Sequence, residues 1–384
     1  MPKKSSILSL ELMRIIAAFF VIFNHTSSVG HFLFSRYSDH SIQYWPYMLI
    51  AAFCHFSVPL FFMISGALLL GRDDEMRQRN SLNKALHILL VLLVWSFVYY
   101  LSAVYDHSQY LIIARDEKPY LSFVQSEIPE FSIKSFLIRV LVTPGWNHSF
   151  WYLYAYIAFL LCLPMLQHMA HAFTRNDFIR LFLLYAIVFM LVPALQFEVG
   201  KDQYNFGLSL SGLSWVGSNV LIFPLTGYFL QHRLKENWTR KRILIMWGIN
   251  FVGLFYSCHL THVLITRTGN VEEVATQAFL PWSVIINAVS VFATCQYLEK
   301  RTSVLRTFEK PLCYISNATF GIYLSHLYFL HRIWLAKGSW QIFCGYLHVG
   351  PMAYALIYCA LVFLCSLVTT KILQRVPVLK RLVA

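Results

Sequence analysis

Charged residues are scarce in this chain, and their scarcity excludes an ordinary soluble protein. Of the 384 residues, only 13% are charged, whereas 58% are hydrophobic. A soluble globular domain carries about 25% charged residues. The apolar residues lie in runs long enough for membrane-spanning helices. We therefore predict an all-α fold, a polytopic helical bundle in a membrane.

Several other features are also missing. None of the eight cysteines forms a CxxC pair, and nearly all lie in apolar runs, where a thiol behaves as a small hydrophobe. We therefore expect neither disulfides nor a metal site. The first 30 residues contain no small-residue cleavage site, which predicts a retained first span. No repeat of 20 to 50 residues and no low-complexity tract occurs, so residues 1–384 are predicted to form a single membrane domain.

Runs of about 20 mainly apolar residues, bounded by charge clusters, predict the membrane spans. There are ten such runs, at approximately 8–29, 47–70, 85–105, 150–170, 178–197, 212–231, 243–265, 277–297, 312–333 and 349–370.

The distribution of positive charge predicts the topology. The loops on the side of the N-terminus hold 21 of the 31 Lys and Arg residues, and the loops on the other side hold eight. Because cytoplasmic loops are enriched in positive charge, both termini are predicted to be cytoplasmic. Topology also explains most of the net charge of +13, so no nucleic-acid partner is expected. The longest connection, about 106–149, would then be external, and its aromatic residues suggest a packed cap.

The first span carries ionisable residues that lipid disfavours. Arg14 and His25 are eleven positions apart, which is about 20° past three helical turns, and Glu11 is within pairing distance of Arg14. Ionisable residues in a span are functional candidates by default. Alternatively, Arg14 could snorkel to the cytoplasmic surface and His25 could be an interfacial histidine.

Four stretches together resemble acyltransferase family 3, whose members are integral-membrane O-acyltransferases. The first span has Glu-x-x-Arg followed by His, and the second contains "VPLFFMISGALLLGR" at residues 58–72. The others are "FWYLYAYIAFLLCLPML" at 150–166 and "ISNATFGIYLSHLYFL" at 315–330. The resemblance covers nearly the whole chain.

The resemblance implies transfer of an acyl group, usually acetyl from acetyl-CoA, to a hydroxyl of a cell-envelope glycan or its lipid-linked precursor. His25 would then be the general base, or an acyl carrier if the reaction has two half-steps. Arg14 would bind a CoA phosphate or polarise the thioester carbonyl, and Glu11 would hold Arg14. A bacterial inner (cytoplasmic) membrane is implied, and no metal is expected.

The expected cofactor-binding residues lie on the cytoplasmic side, where arginine could fork onto the nucleotide phosphates of acyl-CoA. They are Arg72, Arg77, Arg79 and Lys84, together with Ser65 and Gly66. Any cytoplasmic loop of this topology would be basic, however. Ser65 and Gly66 fit either close helix approach or backbone approach to the ligand.

The expected substrate-binding residues are Trp151, Tyr152, Asn24 and His326. Trp151 and Tyr152 could stack on a sugar, although aromatic residues also form belts at any membrane interface. His326 could equally make a structural hydrogen bond.

Two other classes of function fit the pattern in part. Ten spans with a charged first helix also suit a transporter or flippase, although the chain shows no matched halves. A non-catalytic member of an envelope-assembly complex would leave the Glu11, Arg14 and His25 stripe unexplained. The opposed ends of that stripe suggest that the pantetheine arm threads inward from Arg14 to His25 and meets the glycan externally. The oligomeric state is open.

Overall fold

The computed structural model of the protein describes residues 7–72, 77–113, 132–142, 147–198, 216–269, 271, 283–332 and 341–383. Within these ranges the regular elements are helices, and no β-strand occurs. Six helical segments among the described residues are long and apolar enough to cross a membrane. The predicted all-α polytopic bundle is confirmed.

The helices are numbered in chain order. They are α1 (Leu8–Asn24), α2 (Tyr44–Cys54), α3 (Ser57–Leu69), α4 (Arg77–Ile113), α5 (Ile133–Val142), α6 (Trp151–Ala172), α7 (Arg175–Ala186), α8 (Val192–Glu198), α9 (Ile222–Phe229), α10 (Arg240–Thr268), α11 (Val284–Arg301), α12 (Val304–Thr307), α13 (Glu309–Ser316), α14 (Thr319–Arg332), α15 (Pro351–Leu373) and α16 (Pro377–Lys380).

The six candidate spans are Tyr44–Leu69, Asn80–Ser102, His148–Ala172, Arg175–Leu195, Arg240–Thr268 and Pro351–Leu373. The other four predicted spans contain shorter or more polar helices. Helix α1 has 17 residues, α14 has 14, and α11 ends in a charged turn. Helix α9 has eight residues and continues as a π-helical turn, Leu230–Leu234. The count of ten spans and the cytoplasmic termini stay predictions.

Helix α1 lies in the middle of the bundle. It contacts α3, α11, α13, α14 and α15. The side chains of Met13, Ala17 and Ile22 are completely buried. Because protein surrounds this helix, its polar residues can face other helices rather than lipid.

The second predicted span is broken between α2 and α3. Pro59, in the first turn of α3, has no backbone N–H and cannot continue the helical ladder from α2. The carbonyls freed at the end of α2 accept hydrogen bonds from amides of other helices. The Asn24 amide donates to the Cys54 carbonyl at 3.1 Å, and the Asn287 amide donates to the Ala52 carbonyl at 3.1 Å. Lipid offers no donors to freed carbonyls, so these side chains stabilise the break.

Helices α3 and α9 cross with their backbones in contact. A Cβ atom added at Gly66 would overlap the backbone of Pro224, and one added at Gly227 would overlap the backbone of Met63. Each helix therefore needs a glycine where the other crosses it. Small residues play this role between membrane helices generally, because they let two backbones approach.

The long predicted external connection is partly described. Helix α4 continues to Ile113, beyond the predicted span end at 105. Helix α5 packs on it through a cluster of Tyr100, Phe136 and Val140. The Tyr100 hydroxyl accepts a hydrogen bond from the Ser132 N–H at 2.6 Å. Residues 114–131 and 143–146 lie outside the described residues, so the cap stays a prediction.

We expect Gly227→Ala and Gly66→Ala to destabilise the bundle, because the added methyl meets backbone that cannot turn aside. The free energy of unfolding should fall by about 1–3 kcal/mol or more, the usual range for overpacking. Unfolding by heat or SDS in detergent micelles would measure this change. Gly248→Ala is the matched control, since a Cβ atom there has nothing within 4 Å. Equal stability of all three variants would contradict the assigned helix crossing.

Candidate active site

An ion pair occupies the N-terminal part of α1. The Arg14 guanidinium donates to the Glu11 carboxylate at 2.9 Å, as their spacing predicts. The two side chains are 29% and 15% exposed. The same carboxylate oxygen accepts a hydrogen bond from the Ser316 hydroxyl at the end of α13. Glu11 therefore fixes Arg14 and ties α1 to α13.

The C-terminal end of α1 carries an imidazole cluster. His25 Nδ1 and His148 Nε2 share a hydrogen bond at 3.2 Å, in which the donor depends on the tautomers. The rings of His25 and His326 are 5.3 Å apart, and His326 is completely buried on α14. His326 Nδ1 donates to the Tyr323 carbonyl, which in the neutral ring leaves Nε2 as an acceptor. Three helical segments thus bring three imidazoles together.

Three tyrosines pack against one another beside the histidine cluster. The rings of Tyr152 and Tyr156, one turn apart on α6, stack with their centroids 5.7 Å apart. Tyr323 of α14 packs edge-on against Tyr152 at 5.3 Å, and its hydroxyl donates to the Ser149 carbonyl at 2.6 Å. The Tyr323 ring is also 5.7 Å from the His326 ring. Through these rings, α6 and α14 pack together beside the histidine cluster.

The predicted substrate-binding residues differ in their exposure and in their hydrogen bonds. Tyr152 is only 8% exposed and lies in the interior, whereas its neighbour Trp151 is 40% exposed. Asn24 donates to the Cys54 carbonyl and to the Ser57 hydroxyl at 3.0 Å, joining α1 to the break before α3. Tyr152 and His326 are thus buried, whereas Glu11, Arg14 and His25 are partly buried.

The predicted cofactor-binding residues lie where α3 ends and α4 begins. Ser65 donates to the Phe61 carbonyl of its own helix, and Gly66 provides the close approach to α9. Arg72, two residues past the α3 C-cap, is exposed, as is Lys84 on α4. Arg77 and Arg79 are in the first turn of α4, and their side chains lie outside the described part of the chain.

The sequence analysis did not identify His148 or Tyr323 as part of the site. His148 lies two residues before the predicted span at 150–170, so it is near a span end, as His25 is. This shared position could have indicated that the two histidines lie at the same side of the bundle. Tyr323 lies in the same quoted stretch as His326, one helical turn before it.

Three neighbouring histidines raise the question of a metal centre. Structural metal sites use four protein ligands, and catalytic zinc sites use three. Among the residues described, no group of three or more His, Cys, Asp or Glu side chains could hold a metal ion. We therefore interpret the cluster through its hydrogen bonds.

The comparisons with known proteins give one match. Residues 7–371 match the family model described as "Acyltransferase domain", which corresponds to the resemblance seen in the sequence. The comparison with curated proteins gives no match, and neither does the comparison with solved structures. The family match extends over nearly the whole chain, including both ends of the α1 stripe. The chain therefore belongs to acyltransferase family 3 and is an integral-membrane acyltransferase.

Proposed function

We propose that this acyltransferase moves an acetyl or other short acyl group from acyl-CoA to a hydroxyl of a cell-surface polysaccharide or its lipid-linked precursor. The observation that carries the proposal is the arrangement on α1. A guanidinium paired with Glu11 lies at one end, and an imidazole bonded to His148 lies at the other. The guanidinium end is tied to α13 through Glu11, and the imidazole end contacts α14 through the ring of His326.

The chemistry needs a base at the acceptor hydroxyl. His25 would take the hydroxyl proton as the oxygen attacks the thioester carbon, forming the C–O bond and a tetrahedral oxyanion. Collapse of that intermediate breaks the C–S bond, and the leaving CoA sulfur takes up the proton that His25 removed from the hydroxyl. An imidazole suits this step because its unperturbed pKa of about 6.5 allows both uptake and return of a proton near neutral pH.

His148 would orient the base. A catalytic base is commonly held by a third group that fixes its ring and tautomer. For His25 to act as a base through Nε2, its Nδ1–H would donate in the 3.2 Å hydrogen bond to His148 Nε2. In the alternative mechanism with two half-steps, His25 would carry the acyl group briefly on the same Nε2 atom.

The donor would come from the Arg14 side. Arg14 and His25 are separated by about 16 Å along the helix, at 1.5 Å per residue. We infer that the nucleotide stays near Arg72, Arg77, Arg79 and Lys84, and that the pantetheine arm runs along α1 past the tyrosines. Arg14 would bind a phosphate or the thioester carbonyl, while Trp151 and the outer ends of the helices face the glycan. We infer that the membrane is a bacterial inner membrane, as the resemblance implies.

We expect His25→Ala to lower acyl transfer by about 10²–10⁴-fold, the usual contribution of a general base. His148→Ala should cost less, since water can replace part of its orienting hydrogen bond. Labelled acetyl-CoA supplied to isolated membranes, followed by analysis of the labelled glycan, would measure transfer. His40→Ala is the control, because the His40 side chain is 93% exposed and its ion-pair contact is with Asp39 rather than with the cluster. Full activity of correctly inserted His25→Ala would overturn the proposal.

Transfer across the membrane gives a second expectation. Inverted vesicles present the cytoplasmic face outward, so externally added acetyl-CoA should label glycan that is enclosed within the lumen. A membrane-impermeant glycosidase added outside would leave that label intact and would remove it only after detergent. Labelled glycan confined to the CoA-exposed face would refute the threading of the donor arm.

A further inference from the structure

The cytoplasmic end predicted for α3 is capped by side chains from two other segments. The last four carbonyls of a helix have no backbone donors within the helix. Here the Gln167 amide donates to the Leu69 carbonyl at 2.8 Å, and His171 Nε2 donates to the Leu70 carbonyl at 2.9 Å. His232 Nε2 donates to the Ala67 carbonyl, also at 2.9 Å. We call Gln167, His171 and His232 the α3 cap.

Neighbouring rings and backbone hold the side chains of the α3 cap in place. Gln167 and His171 are one turn apart on α6, while His232 lies in the π-helical turn after α9. The ring of Tyr228 is 4.8 Å from the His232 ring and 6.1 Å from the His171 ring. A Cβ atom at Gly71 would lie 2.6 Å from the His232 ring, so the chain passes directly beneath this imidazole.

The α3 cap changes the electrostatics of the place where the chain turns towards Arg72. A helix C-terminus carries about half a negative charge, and it therefore favours cations and repels anions. Uncapped, the end of α3 would oppose the binding of phosphates at the adjacent arginine. Three N–H donors directed at its carbonyls offset that repulsion. The cap also satisfies carbonyls at the helix end, and it places its three donors within one turn of the chain that leads to Arg72.

We propose that the α3 cap is a positioning part of a binding subsite for the nucleotide phosphates of acyl-CoA, with Arg72 supplying the charge. The inference rests on the proposed function and deepens it. Gln167, His171 and His232 act through the helix end: they lower the negative potential at the subsite and hold the backbone that presents Arg72.

Leucine variants of the cap residues test the proposal against two acyl donors. We expect His171→Leu and His232→Leu each to raise the KM for acetyl-CoA about three- to tenfold, in line with the size of helix-end electrostatic effects. The KM for S-acetyl-pantetheine, which has no nucleotide phosphates, and kcat with either donor should change little. His171→Gln, which keeps an N–H donor, should restore the wild-type KM for acetyl-CoA.

His168→Leu is the matched control, because His168 lies on the same helix but is exposed. Equal loss with both donors, or a lowered kcat alone, would show a merely structural cap and overturn the inference. So would an unchanged KM for acetyl-CoA in folded cap variants.

Equilibrium binding of CoA itself separates this inference from the proposed function. If the wild-type protein binds CoA, the cap variants bind it more weakly, and no acyl group is transferred, the proposed function is refuted and the subsite is kept. If the wild-type protein transfers acyl groups while the cap variants bind CoA normally, the subsite is refuted and the proposed function is kept. Absence of CoA binding by the wild-type protein would overturn the subsite.

Discussion

The structure depends on the pairing of buried charge within helix α1. An uncompensated charge inside a membrane protein is strongly disfavoured, and pairing with hydrogen bonds is the usual remedy. The Glu11 carboxylate is compensated in both ways, because it pairs with the Arg14 guanidinium and accepts a hydrogen bond from the Ser316 hydroxyl. The pair can therefore remain within the bundle, where α1 packs against several other helices. Removing Glu11 would leave the partly buried Arg14 guanidinium with no carboxylate partner among the contacts described.

A second requirement, the satisfaction of carbonyls where helices break or end, explains many of the polar residues. Pro59 interrupts the segment formed by α2 and α3, and the amides of Asn24 and Asn287 complete the hydrogen bonds of the freed carbonyls. The α3 cap does the same at the other end of that segment. These side chains come from helices α1, α11 and α6 and from the turn after α9. Polar side chains therefore join helices that apolar contacts alone would not hold in register.

Local geometry explains which parts of the site could be predicted from sequence. Glu11 and Arg14 are three residues apart on one helix, so their pairing follows from helical spacing. His25 and His148 are 123 residues apart, and their contact depends on how α1 and α6 pack. Trp151 and Tyr152 point in different directions because consecutive helical residues differ by about 100°. Nothing local determines which of the two faces lipid, and the interior one is Tyr152.

The limits of hydropathy explain the differences in the spans. An apolar run predicts that a segment enters the membrane, but it does not show where the helix breaks. The predicted span at 312–333 divides into α13 and α14 at Asn317, beside Ser316. That division places the Ser316 hydroxyl at a helix end, where it reaches Glu11. The break thus contributes a contact to the site that a continuous helix pattern does not reveal.

The crossing of α3 and α9 has a mechanical consequence. At Gly66 and Gly227 each backbone rests directly on the other helix, with no side chain between them that could change rotamer. Sliding or rotation at this point would bring main-chain atoms into collision, so the two helices must move as one rigid unit. Any widening of the bundle that admits or releases a bulky molecule therefore has to occur between other helices, with Ser65 and Arg72 carried along unchanged.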